Sequence, residues 1–202
     1  MLLAESSLFR TFVLKFNRML IARQKRKENI AEYLLYMWQV EDIIRAYDFK
    51  IDVVEKNIIA RFDQPEPVRI EIKTWYQELI DMMLREGVKE KGHLQINKII
   101  IVDLNDLHLA LLKSPEEVAY NTKFSQTLPY LLELKGKSST DEEQNNIELC
   151  FNALYGYLLL RLRQKEVSPE TAEAVKQIGS FMALLSEKYR QEKAGELKLT
   201  DE

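Results

Sequence analysis

Glu41 is an acid in apolar company. In ENIAEYLLYMWQVEDIIRAYD (residues 28–48), turning 100° per residue from Ile30, Leu34 falls at about 40°, Met37 at about 340° and Glu41 at about 20°. Glu41 thus sits on the midline of an apolar helical face. A carboxylate there must find donors or take up a proton, because an unpaired buried charge costs several kcal/mol. Counted the same way from Ile99 in KIIIVDLNDLHLALLK (98–113), His108 falls at about 180°, flanked by Leu104, Leu111, Ile101 and Leu112. Both side chains are expected inside, and a Glu41–His108 contact would satisfy both and fix the register of two helices. One reading makes the pair a general acid–base couple or the floor of a ligand pocket, with Trp38, Asn152 and Tyr155 as wall residues. The favoured reading is a satisfied polar pair in the core, since no nucleophile or phosphate-binding loop accompanies it. A third places an arginine from a subunit interface on Glu41.

Other chemistry is thinly represented. The chain has two histidines, His93 and His108, and one cysteine, Cys150. Glu90-x-x-His93 has the spacing of a di-iron ligand pair, but beside Gly92 in an expected loop, and Asn105 stands where His108 would need a carboxylate. No metal site and no cofactor are expected. Phosphate-loop, dinucleotide, nucleophile-elbow and zinc-protease signatures are absent. A lone Cys150 on an apolar stretch reads as a buried thiol. Tyr33, Tyr36, Trp38, Trp75 and Tyr76 read as core.

Charge is unevenly spread. Residues 1–27 carry seven bases against one acid (+6), leaving 22 bases against 31 acids (−9) in the remainder. The run Arg23, Lys25, Arg26, Lys27 could touch nucleic acid, but a solvated helix is the favoured reading and nucleic acid is not an expected partner. The longest uncharged stretch, Leu149–Leu160, has 12 residues, short of the ~20 that span a bilayer. With one cysteine and no membrane span, a cytoplasmic location is expected.

The elements that would carry these residues are helices. Apolar spacing predicts helices over Ile30–Tyr47, Asp52–Arg61 and Val68–Arg85, the last with Val68, Ile72, Trp75, Leu79, Met82 and Met83 inward and Gly87 as its stop. Lys98–Lys113 is assigned wholly to helix despite its β-branched start. Ser114 and Pro115 are expected to open the next helix, Pro129 to interrupt it and Gly136 to end it. Ser139–Glu143 offers overlapping capping boxes for a helix over Asp141–Gln164, apolar all round in its middle and therefore expected at the centre, with Gly156 a close-packing point. Ser168 is expected to cap the last long helix.

From Met19 onward the chain resembles a family of small bacterial proteins known only by a domain-of-unknown-function label. The resemblance rests on ENIAEYLLYMWQVEDIIRA, EKGHLQINK, DLHLALLKSP, CFNALYGYLLLRL and SPET, in that order. It implies an all-helical intracellular protein and carries over no activity and no catalytic residue. Together these readings give an all-α, single-domain bundle of about six or seven helices over 19–193, an N-terminal extension over 1–18 and a polar tail over 194–202. The expected function is a non-enzymatic interaction or regulatory module that forms a homodimer through an apolar helix face. The alternative is a ligand binder or enzyme built around Glu41 and His108.

Overall fold

In the computed structural model, residues 18–137 and 144–197 are described. Among them are eight α-helices, one 3-10 turn and no strand. The helices are α1 (Arg18–Glu28), α2 (Ile30–Ala46), α3 (Ile51–Asn57), α4 (Glu66–Arg85), α5 (Gln95–Lys113), α6 (Val118–Lys137), α7 (Asn146–Leu162) and α8 (Pro169–Lys193). No helix among the described residues is long and apolar enough to cross a membrane. The described residues form two compact units, 18–27 with 32–98, and 28–31 with 99–137 and 144–197.

The first unit buries the α2 face expected from its spacing, with Leu34, Met37, Val40 and Ile44 inside. The stretch Asp52–Arg61 divides: α3 ends at Asn57 and a 3-10 turn, Ile59–Arg61, follows. Pro67 is accommodated in the first turn of α4, where its missing N–H costs no helical bond. The inward face of α4 is Ile72, Tyr76, Leu79, Ile80 and Met83, so Val68, Trp75 and Met82 are only half-buried and Tyr76 takes the place expected of Trp75. At the end of α4, Gly87 adopts a φ of 70°, which suits glycine and stops the helix.

In the second unit α6 packs on α8, and α7 on both. Three expectations from local sequence are corrected here. Ser114–Glu117 is a turn, closed by the Glu117 N–H donating to the Ser114 carbonyl at 3.3 Å, and α6 begins only at Val118. Pro129 does not interrupt α6, which runs on through Gly136; Tyr120, Phe124 and Leu131 are buried along it, and their packing outweighs the one bond proline removes. The next helix begins at Asn146, where the Asn145 side chain accepts from the Glu148 N–H at 2.8 Å; the capping boxes at Ser139–Glu143 lie outside the described residues. Ser168 does cap α8, accepting from Thr171 N–H at 3.3 Å.

α7 is not enclosed along its length. Ile147, Cys150 and Phe151 are buried, but Gly156 and Leu160 are exposed, and a Cβ added to Gly156 would meet nothing within 4 Å. The glycine is not a close-packing point. An apolar sequence shows what a helix could bury, not what covers it.

Candidate functional site

Glu41 is fully buried on α2, as its phase requires. The expected bond to His108 is replaced by three others. His93 Nδ1 lies 2.6 Å from Glu41 Oε2, while the Leu94 N–H and the Asn97 amide donate to Oε1 at 3.1 and 2.7 Å. Leu94 and Asn97 bracket the start of α5, so the carboxylate sits where a helix N-terminus presents unpaired N–H groups and positive potential. Glu86 does the same from the exposed side, accepting from the Gln95 N–H at 2.6 Å. A buried acid is tolerated here because ready-made donors surround it.

The loop carrying His93 is fastened to α2 at further points. Arg45, one turn beyond Glu41, donates to the Val88 carbonyl at 3.1 Å, to the Gly92 carbonyl, and to Asp42 at 2.9 Å. Gly92 takes a φ of 86°, the left-handed conformation that turns the chain into His93. The His93 ring stacks on Trp38, with centroids 3.9 Å apart and planes 8° from parallel. The segments ENIAEYLLYMWQVEDIIRA and EKGHLQINK thus clasp each other through Trp38, Glu41 and Arg45 on one side and Gly92, His93 and Asn97 on the other.

With Nδ1 committed to a carboxylate, His93 has its ring orientation set and Nε2 left over, on a side chain 26% exposed. That is how a general base or a metal-ligating imidazole is held. The surroundings are those of a clasp: the ring stacks on the Trp38 indole, and the carboxylate it shares also accepts from the Leu94 N–H and the Asn97 amide. No group of three or more His, Cys, Asp or Glu side chains suited to a metal ion occurs among the described residues.

His108 is buried in the second unit among aromatics. Its Nδ1 is 2.7 Å from the Tyr120 hydroxyl, and the Phe124 and Phe181 rings meet it edge-on at 4.6 and 5.7 Å. Its Nε2 is buried without a hydrogen-bond partner. Burial pulls the imidazole pKa down to about 4, so the ring is neutral at neutral pH. Burial likewise pushes the Tyr120 phenol up, with Cys150 and Glu117 adding to it, and holds the buried Cys150 thiol protonated.

The remaining site candidates fall in separate places. Trp38 joins Glu41 through His93. Tyr155 is buried on α7, and Asn152 is exposed on the wall of a cleft between α6, α7 and α8. Lys25 is paired with Glu32, and the Arg26 guanidinium lies 5.7 Å from the Tyr33 ring centroid. Two of the four basic candidates are therefore engaged with α2; the Arg23 side chain lies outside those described.

That cleft has a volume of about 860 Å³. Leu134 of α6, Ala153, Gly156 and Leu160 of α7, and Val175 and Ile178 of α8 form its apolar surface. The sequence hid it because the same residues, read alone, describe a helix buried all round.

Against known proteins, the family model described as Domain of unknown function (DUF4924) matches residues 19–196. No curated protein and no solved structure matches the chain.

Proposed function

The chain belongs to that family of unknown function, and we propose that it is a non-enzymatic helical interaction module, acting in the cytoplasm, that holds another polypeptide in the α6–α7–α8 cleft. The observation that carries this reading is the uncovered half of α7. Leu160 is 39% exposed and Gly156 opens onto empty space, within a helix whose residues 149–160 include no charge. Apolar surface collected in a concavity, with polar residues on its rim, is what a binding groove for a polypeptide requires. In the Glu41–His93 clasp, by contrast, both carboxylate oxygens and His93 Nδ1 are spent on fastening a loop to a helix.

The test is selection from a random peptide display library on the native protein, with Gly156→Leu as counter-target. The substitution fills the cleft from an exposed helical position where nothing stands within 4 Å of the new Cβ, so the fold should persist. Peptides enriched on the native protein and lost on Gly156→Leu are expected. Enrichment that ignores the substitution, or none at all, would overturn the reading. A second copy of the chain is tested alongside, by sedimentation equilibrium of the two proteins: a homodimer through the cleft would dissociate on Gly156→Leu.

A further inference from the structure

We propose that the occupant of the cleft is a cationic amphipathic helix, an inference that rests on the interaction-module reading and narrows it. The first argument is charge. Among the described lining residues there are three carboxylates, Glu133, Glu170 and Glu173, and no lysine, arginine or histidine. Glu170 is held below the usual carboxylate range by its own backbone N–H and then by the Ser168 hydroxyl. Glu173 is held low by the Gln177 amide and then by Lys176. Lys176 stands 3.4 Å from Glu173 with its side chain 75% exposed, facing water rather than the apolar surface. Lys123 of α6 acts on Glu173 as well, but neither lysine is among the lining residues, so the charged side chains that line the cleft are all acids. This disfavours pairing with the same face of a second copy, which would set three acids against three acids.

The second argument is backbone satisfaction. An extended peptide needs a strand edge to take up its N–H and C=O groups, and no strand occurs among the described residues. Over an apolar surface, a segment that satisfies its own backbone is a helix. The third argument is periodicity and length. Ala153, Gly156, Tyr157 and Leu160 line the cleft at helical spacing, and from Ala153 to Leu160 α7 rises about 10 Å, two turns. An incoming helix with apolar anchors at i, i+3, i+4 and i+7 covers the same span. Exposed Gly156 leaves room for one of those anchors. Lysines or arginines flanking the anchors meet the acidic rim.

The experiment is fluorescence anisotropy with three dye-labelled 14-residue peptides. One places leucines at i, i+3, i+4 and i+7 with lysines elsewhere; one has the same leucines with glutamates; one has the leucine–lysine composition alternating with a period of two. The cationic helical peptide is expected to bind and gain helical circular dichroism. Its affinity should fall by about tenfold or more in the double variant Glu170→Lys/Glu173→Lys, and also in Gly156→Leu. A charge-matched control on α4, Glu71→Lys/Glu78→Lys, should leave it unchanged. Should the control weaken binding as much as the rim variant, the peptide reads net charge and the proposal falls. If the anionic or alternating peptide binds in a Gly156-dependent way and the cationic helix does not, this proposal fails while the module reading stands. Were no peptide bound in a Gly156-dependent way, both would fail.

Discussion

Each unit holds one histidine ring nitrogen against a single partner at almost the same distance, 2.6 Å for His93 to Glu41 and 2.7 Å for His108 to Tyr120, yet their surroundings differ in kind. Around Glu41 and His93 the protein supplies a peptide N–H, an asparagine amide and a helix start. Around His108 it supplies the rings of Phe124 and Phe181 and leaves Nε2 unpaired. The first environment is built to carry an acid; the second keeps an imidazole neutral. Donors brought to the buried Glu41 satisfy its oxygens, whereas burial among aromatic rings keeps the His108 imidazole neutral.

The comparison breaks most visibly at Glu41. Replacing it with leucine leaves the Leu94 N–H, the Asn97 amide and His93 without their acceptor inside the protein. Urea denaturation of Glu41→Leu should show a loss of about 3–5 kcal/mol, because orphaned buried partners pay full desolvation. Glu41→Gln keeps an acceptor oxygen and should lose less, about 1–3 kcal/mol. A loss below about 1 kcal/mol in both would show that the clasp does not hold the unit together.

His108 gives the next largest effect, read as a pH dependence. Unfolded, the imidazole titrates at its ordinary 6.5; folded, it titrates at about 4. Between these values the unfolded chain binds more protons, so this contribution is complete above pH 6.5 and is lost as pH falls towards 4. The difference corresponds to about 3 kcal/mol. Stability measured from pH 7 to 4 should fall by that much more in the native protein than in His108→Phe. Parallel curves would mean that the imidazole is solvated.

The helices were largely legible in the sequence, and the site only partly so. The phases of Glu41 and His108 gave their burial, because 100° per residue is a property of the backbone. Their partners were not legible. Local sequence makes His93 a loop residue beside Gly92, yet a loop histidine just before a helix N-terminus is well placed to share that helix's pull on an acid. The buried Asn97, two residues into α5, was the further clue. Pro129 and Ser114 misled in opposite directions, since each local preference is worth a few kcal/mol at most and packing elsewhere on the helix decided the outcome. The uncovered side of α7 depends on the positions of α6 and α8, which no local pattern contains.

Two glycines carry the comparison down to its finest scale, because the same substitution should act with opposite sign in the two units. Gly92 has a φ of 86°, and an added Cβ would make only ordinary contact with Val88 Cγ1, at 3.6 Å. Gly92→Ala is therefore penalised by its backbone alone, about 1–2 kcal/mol. The same change should loosen the turn that presents His93 to Glu41.

Gly156 lies within α7, exposed, with no atom within 4 Å of an added Cβ. Alanine there loses less conformational freedom on folding than glycine and introduces no clash. Gly156→Ala should raise stability by about 0.5–1 kcal/mol, read as a higher denaturation midpoint with unchanged slope. If Gly156→Ala instead destabilises, a neighbouring helix packs closely on α7 in solution, and the cleft is narrower than its 860 Å³. Read beside Gly92→Ala, the sign separates a glycine needed for its backbone angle from one that leaves a surface open.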